Sequence, residues 1–372
     1  MPKKGKKVIF AAGGTGGHLF PAQALAEQLR NTNSELELLF AGAKLSGNVH
    51  FDNKKFEFRD IHSGTPFGRN FFKAFRSFSY LFKGIRESLA LISSQKPDLV
   101  VGFGSFHAFP VLFAAAVKKI PLVLFESNAI PGKVVKLFSR RALFTAVYFP
   151  DAMQHLKGKT VEVEIPVTNL EDRQRIEPQE ARRELGLQPD LPTVLVFGGS
   201  QGARKINQEV LKLLPALKKE NIRFQLIHLT GSEETTVQVL QRCKDLSVPC
   251  YAKKFERRMN LAWSAADLAI CRSGAMTVSE LLHYGVPAIL VPYPFAADQH
   301  QQVNALFVEQ KVGGAMHLPE RDVSGSSFVE TVLRLICLDS PEKFKMKQAI
   351  TAFKTQKNKK DLAALVLEAL HD

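Results

Sequence analysis

The sequence predicts an α/β protein of two doubly wound parallel-sheet domains, residues 1–165 and 166–372, facing each other across a cleft. Three observations predict it. Apolar runs alternate with helical stretches, as they do where crossover helices join parallel strands. The alternation stops and restarts once, near residue 193. Each half also opens on a glycine-rich turn of one design: Gly13-Gly14-Thr15-Gly16-Gly17-His18 after Val8–Ala12, and Gly198-Gly199-Ser200-Gln201-Gly202-Ala203 after Val194–Phe197. Each reads as buried strand, tight turn and helix, a geometry that turns free backbone N–H groups toward phosphate or a developing anion. The endings differ, with a histidine in the first and a Ser-Gln pair in the second, which suggests acid/base work in one turn and ligand holding in the other.

The elements follow in order. Strands are expected at 7–12, 36–41, 98–103, 121–126 and 143–148, with helices after the first turn, around 71–95 and at 108–118. The second half gives strands at 193–197, 223–229, 267–271 and 287–291. Its helices start near 203, 233, 275 and 299. The polar stretch Thr168–Pro192 reads as the linker, and Lys360–Leu370 as a short amphipathic helix of no legible function. A chain of 372 residues has room for two cores.

Hydrophobic content of 45% and charge of 23% are globular values. The four cysteines form no C-x-x-C pair, so neither a zinc site nor a disulfide framework is expected. The apolar run before Gly13 is too short for a signal-peptide core, and no run approaches a membrane span; the sequence predicts neither export nor a transmembrane segment. The net charge of +14 is uneven, because residues 1–165 hold 23 Lys+Arg against 12 Asp+Glu. The first half is therefore expected to meet an anionic surface or substrate.

His18 stands where the first helix begins, where the dipole disfavours imidazolium and keeps the ring able to accept a proton. Its plainer reading is a structural histidine. Neither turn is a dinucleotide fingerprint, since Leu19 occupies a required glycine position, and neither is a P-loop. In Cys271-Arg272-Ser273-Gly274-Ala275-Met276-Thr277-Val278-Ser279-Glu280, small residues after a strand let a helix N-terminus approach a diphosphate closely. Thr277 and Ser279 add donors there. Glu280 could accept from a ribose diol, or be a solvent-facing helix glutamate. Asp298-Gln299-His300-Gln301-Gln302-Val303-Asn304 is dense in neutral hydrogen-bonding groups that suit sugar hydroxyls, or is a polar helix face. From Phe71 to Ile92, apolar residues at 71, 75, 78, 82, 85, 89 and 92 form a helical stripe, flanked by Arg69, Lys73, Arg76, Lys83 and Arg86. Either this stripe packs on the protein's own sheet, or it lies on an anionic bilayer with phenylalanines at the acyl boundary. Seven aromatics between 67 and 82 favour the bilayer. The absence of any Asp-x-Asp leaves no evident carboxylate pair for a metal on a nucleotide diphosphate.

These motifs, in this order, resemble the MurG glycosyltransferases of peptidoglycan synthesis. The resemblance rests on GGTGGHLFP (13–21), KPDLVVGFG (96–104), Glu126–Asn128 with Pro131-Gly132, GGSQGA (198–203), Cys271–Glu280 and Asp298–Ala305. It implies the GT-B fold of two Rossmann-like domains and an inverting reaction. In that reaction N-acetylglucosamine passes from its UDP derivative to the C4 hydroxyl of the muramic sugar of lipid I, giving lipid II. His18 matches the proposed base. Thr15, Gly16, Gly17, Asn128, Ser200, Ala275, Met276, Thr277, Val278, Ser279, Glu280, His300, Gln301 and Asn304 match donor-contacting positions, with Thr168 and Glu256 at two further donor positions. Gly13, Gly14, Gly104 and Ser105 match acceptor-diphosphate loops. Phe71, Lys73, Phe75, Arg76, Phe78 and Phe82 fall on the family's membrane patch. The resemblance implies no cofactor and no metal. Its partners are UDP-N-acetylglucosamine, lipid I, an anionic membrane surface at the cytoplasmic face of the bacterial inner membrane, and cell-wall synthesis proteins; nucleic acid is not among them.

Three segments depart from the family pattern. Its second glycine loop, G-G-Y-x-S-G-P, is here Gly104-Ser105-Phe106-His107-Ala108-Phe109-Pro110. Its junction G-N-P-V-R is Glu164-Ile165-Pro166-Val167-Thr168, without the arginine. The base-contact segment is Phe255-Glu256-Arg257-Arg258-Met259, where Arg257 or Arg258 is the candidate replacement for the lost phosphate charge. A UDP-N-acetylglucosamine 2-epimerase, a transferase with another lipid acceptor and a binding protein without turnover are the competing readings.

Overall fold

The computed structural model describes residues 5–64, 71–167, 174–199, 201–337, 339–355 and 359–371, without the side chains of 71–75. The chain divides into two compact units, Met1–Asn169 with Asn358–Asp372, and Leu170–Lys357.

The first unit runs β1 (Lys7–Ala11), α1 (Gly16–Thr32), β2 (Glu37–Gly42), β3 (Phe58–Asp60), α2 (Phe71–Gln95), β4 (Leu99–Gly102), α3 (Phe109–Val117), β5 (Leu122–Glu126), α4 (Lys133–Phe138), β6 (Phe144–Val147) and β7 (Thr160–Glu162). Its sheet is parallel in the order β3-β2-β1-β4-β5-β6-β7, with Val8 level with Leu38 on one side and Leu99 on the other. Strands covered on both faces read as unbroken apolar runs, and β1 does so. Ile9 and Ala11 enter a core with Leu39, Val100, Leu112 and Val135. Phe10 points the other way and stacks on Phe40 at 4.9 Å, with Phe51 and Phe56 completing an aromatic cluster.

The second unit runs α5 (Pro178–Glu184), β8 (Thr193–Phe197), α6 (Arg204–Lys219), β9 (Gln225–Leu229), α7 (Glu233–Asp245), β10 (Cys250–Lys253), α8 (Met259–Ala265), β11 (Leu268–Cys271), α9 (Ala275–Tyr284), β12 (Ala288–Leu290), α10 (His300–Leu306), β13 (Ala315–His317), α11 (Gly325–Ile336) and α12 (Pro341–Thr355). Its parallel sheet has the order β10-β9-β8-β11-β12-β13. In both sheets the strand order reverses beside the first strand, between β1 and β4 and between β8 and β11. Ligands of open α/β sheets bind beyond the strand ends at such a switch point. Each glycine turn leaves its sheet there.

Two expectations need correction. The boundary at 166–372 fails at the chain's end, because α13 (Leu362–His371) packs on α1 of the first unit. Lys360 N donates to Glu162 O at 3.1 Å. The Lys359 ammonium lies 3.3 Å from the centre of the Tyr148 ring and donates to Tyr148 O. The linker expected at 168–192 contains α5, fixed by buried Arg182, which donates to Ala265 O, Pro189 O and Asp267 at 2.7–3.0 Å. Short edge strands β3, β7, β10 and β13 were also unforeseen, since three or four residues give too little alternation to read.

The α2 stripe divides along its length. Phe78 and Phe82 are 61% and 65% exposed, whereas Ile92 is 2% exposed. Gly84, Ser88 and Ile92 form the packed side, and a Cβ on Gly84 would stand 1.7 Å from His62 O. The stripe is therefore exposed at Phe78 and Phe82 and packed on the protein at Ile92. Phe71, Lys73 and Phe75 begin the helix, and their side chains lie outside the described residues. Among the described residues no helix is long and apolar enough to cross a membrane.

Candidate active site

In the first unit the switch point is built by the turn after β1 and the loop after β4. Thr15 caps α1 in extended conformation, and its Oγ1 lies 3.2 Å from His18 Nδ1. The imidazole is half-buried, on the first turn of the helix. Gly104 comes up beside it: a Cβ there would stand 3.8 Å from His18 Nε2, and its φ of +75° is open to glycine at no steric cost. Ser105 continues left-handed at φ +64° and donates its Oγ to Gly13 O at 3.0 Å. The sequence-expected Gly13, Gly14, Gly104 and Ser105 are thus brought together around His18. Asn48 and His107 join them without having been foreseen. Asn48 Nδ2 donates to Gly14 O at 2.7 Å. The His107 ring lies against Gly13 and Gly14, with burial and Lys44 holding its pKa below the ordinary value. Nothing in the spacing of residues 48 or 107 signals these contacts.

Asn128 stands on the turn leaving β5, organised by a buried carboxylate. Glu126 accepts from Asn128 N at 2.9 Å, Asn128 Nδ2 at 3.2 Å and Gly132 N at 2.8 Å. Burial pushes its pKa upward.

In the second unit, Gly274 caps α9 and the segment 275–280 forms its first turn and a half. Ala275, Thr277, Val278 and Ser279 are buried; Met276 and Glu280 are the partly exposed side chains. Glu280 accepts from Trp263 Nε1 at 3.0 Å, a brace from 17 residues upstream that the sequence does not signal. Arg272 donates to Val291 O and Pro292 O and pairs with Glu320, so it fixes the Pro-rich loop. Ser273 Oγ donates to Gln301 O at 2.7 Å, and Asn304 Nδ2 to Ser273 O at 3.1 Å. Segments 271–280 and 298–304 are thus brought together. Asn304 is fully buried and braces Ser273. His300 Nδ1 donates to Ala297 O, and Gln301 Oε1 accepts from Tyr293 N. Two consecutive left-handed residues, Asp298 at φ 49° and Gln299 at φ 53°, lead into α10.

The segment Phe255–Met259 is internally tied. Burial opposes charge on Glu256, but hydrogen bonds from Tyr251, Arg258 N and Lys253 outweigh it and hold the carboxyl at about 2. Arg258 itself pairs with Glu184. Ser200 and Thr168 lie outside the described residues.

Residues 8–147 match the model for the glycosyltransferase family 28 N-terminal domain, and residues 193–366 that for the family 28 C-terminal domain. A Protochlamydia amoebophila protein named as the UDP-N-acetylglucosamine–N-acetylmuramyl-(pentapeptide) pyrophosphoryl-undecaprenol N-acetylglucosamine transferase is 38% identical over 98% of this chain and 96% of its own length. The chain belongs to the MurG family of N-acetylglucosamine transferases. A Chlamydia trachomatis relative of the same name is 34% identical over 99% of this chain and all of its own. A crystal structure of Acinetobacter baumannii MurG superposes with a TM-score of 0.74 over 98% of this chain and 99% of its own, at 24% identity. A UDP-glucose:anthocyanidin 3-O-glucosyltransferase in complex with UDP shares the fold at a TM-score of 0.69 over the whole of both chains, at 14% identity. The fold is therefore GT-B, as the sequence predicts.

Proposed function

We propose that this chain transfers N-acetylglucosamine from UDP-N-acetylglucosamine to the C4 hydroxyl of the muramyl sugar of the undecaprenyl-diphosphate-linked pentapeptide, with inversion at the anomeric carbon. The observation that carries the reading is the identity of 38% maintained over 98% of the chain. His18 is the general base. Thr15 Oγ1 lies 3.2 Å from His18 Nδ1, and in the tautomer that donates Nδ1–H to it, Nε2 is the nitrogen that takes the acceptor's proton. The hydroxyl oxygen attacks the anomeric carbon as its proton passes to Nε2. The bond to UDP breaks with its electron pair on the β-phosphate oxygen. The first amides of α9 and the second glycine turn stabilise that leaving diphosphate. Glu280, steadied by Trp263, receives the ribose hydroxyls, and His300 and Gln301 face the sugar. Asn304, buried on Ser273 O, holds the loop that presents them.

The exposed Phe78 and Phe82, with the exposed Arg76, support peripheral attachment to an anionic membrane, at the cytoplasmic face where the lipid acceptor is made.

The test is UDP release from UDP-N-acetylglucosamine by purified protein, with and without a soluble lipid I analogue, in EDTA. Acceptor-dependent release that survives chelation is the expected result. Conversion of the donor without acceptor would replace the transferase with an epimerase. UDP-sugar binding without turnover would leave a binding protein.

A further inference from the structure

Beneath the second glycine turn lies a buried polar chain with no place in the transfer chemistry. His228, in the middle of β9, is 0% exposed, and Asn207, on α6, is 5% exposed. His228 Nε2 donates to Asn207 Oδ1 at 2.9 Å, and Asn207 Nδ2 donates to Thr230 O at 2.8 Å. Thr230 O is the surface on which the turn rests: a Cβ on Gly202 would stand 2.1 Å from it. Gly202 takes φ +70° there, and a Cβ on Gly231 would stand 2.3 Å from Gly202 N. Gly231 N in turn donates to Lys254 O at 2.9 Å. The exits of β8, β9 and β10 are thereby stacked backbone on backbone, without side chains between them to absorb a shift.

A histidine is a poor choice if packing were its whole task. Its Nδ1 has no partner among the described residues. An apolar ring would fill the space without leaving a buried nitrogen unsatisfied. What the imidazole adds is one N–H donor, which fixes the Asn207 amide so that its own N–H meets Thr230 O. Burial keeps the ring neutral, with its pKa near 3, so this donor is the same at every physiological pH.

We propose that His228 and Asn207 are positioning residues for the donor diphosphate, setting the height and tilt of the Gly198–Ala203 turn through Thr230 O. This rests on the reading that the turn receives UDP.

The test measures binding of UDP and uridine to the full-length protein by competition, for the wild type, His228→Phe, His228→Gln and Asn207→Ala, with a melting curve for each. His228→Phe and Asn207→Ala are expected to weaken UDP about tenfold while uridine binding holds, the size expected when a buried hydrogen bond is broken. His228→Gln keeps an N–H donor and is expected to restore most of the loss. An unchanged UDP-to-uridine ratio in both His228→Phe and Asn207→Ala, whatever the melting temperature, would overturn the proposal and leave the pair with packing alone. If His228→Phe does not fold, Asn207→Ala decides by the same ratio. A wild type that fails to bind UDP sinks the donor reading itself, before any substitution is compared.

Discussion

His18 stands on the first turn of a helix and His228 inside a strand, and their surroundings differ sharply. His18 sits half-buried on a helix start with Thr15 on Nδ1. His18→Ala is expected to lower kcat by about 10²–10⁴-fold with little change in donor KM, as for a lost general base. Steady-state kinetics with a lipid I analogue checks this, and undiminished turnover would remove His18 from the chemistry. His228 is sealed in the core with its pKa held near 3 by burial. The unfolded chain binds a proton at His228 below about 6.5 while the folded one does not, so stability is full above that pH and falls toward pH 3 at up to about 1.4 kcal/mol per unit. Glu256, held at about 2, adds stability that is present above its unfolded value near 4.5 and is lost as pH falls through 2. Urea unfolding at pH 7, 6, 5 and 4 reads the sum. A shallower decline between pH 6.5 and 5 in His228→Gln would assign the upper window to this side chain.

Among the elements, α10 begins under strain, and α2 exposes phenylalanines in its first half. Asp298 and Gln299 both occupy left-handed backbone, where a β-carbon is disfavoured and asparagine is better tolerated than glutamine. Gln299→Asn is therefore expected to stabilise the protein by about 0.5–1 kcal/mol, a shift that calorimetry can resolve. For α2, replacing Phe78 and Phe82 together by Ser is expected to abolish sedimentation with anionic vesicles and leave the melting temperature nearly unchanged, because both rings are already exposed. A large fall in melting temperature would show the rings packed on the protein instead. These two elements also mark how far the sequence could be read. The central strands and glycine turns were legible because strands buried on both faces and turns with positive φ leave local signatures in residue type. The stripe of α2 was visible but not its division, since periodicity registers apolar residues without saying what covers them. Asn48 on Gly14, Trp263 on Glu280 and Asn207 on Thr230 were not legible at all. Each joins positions far apart in the chain through one hydrogen bond, and only the folded sheet brings them into reach.

At the scale of the whole molecule, the second unit is an insertion in the first. The chain leaves after β7 and returns beside it, where Lys359 meets Tyr148 and Glu162 and α13 covers α1. Deleting residues 359–372 strips buried Leu362, Val366 and Leu370 from the first unit, each contributing about 1.5–3 kcal/mol of apolar burial. The truncated protein is expected to lose protease resistance in its N-terminal half first, with the 174–355 fragment outlasting it in limited proteolysis. Equal decay of both halves would show that α13 contributes little.

That insertion also reverses the usual order of birth. Chains emerging from a ribosome commonly finish their first domain while the next is still being made, at about 5–20 residues per second. Here the first unit is completed only by α13, so the second unit, whose residues precede that helix, can close while the first is unfinished. A stalled nascent chain ending near residue 358 would expose α1, the helix on which His18 stands, to any chaperone or protease at the tunnel exit. Residues 362–371 thus complete the unit that carries His18.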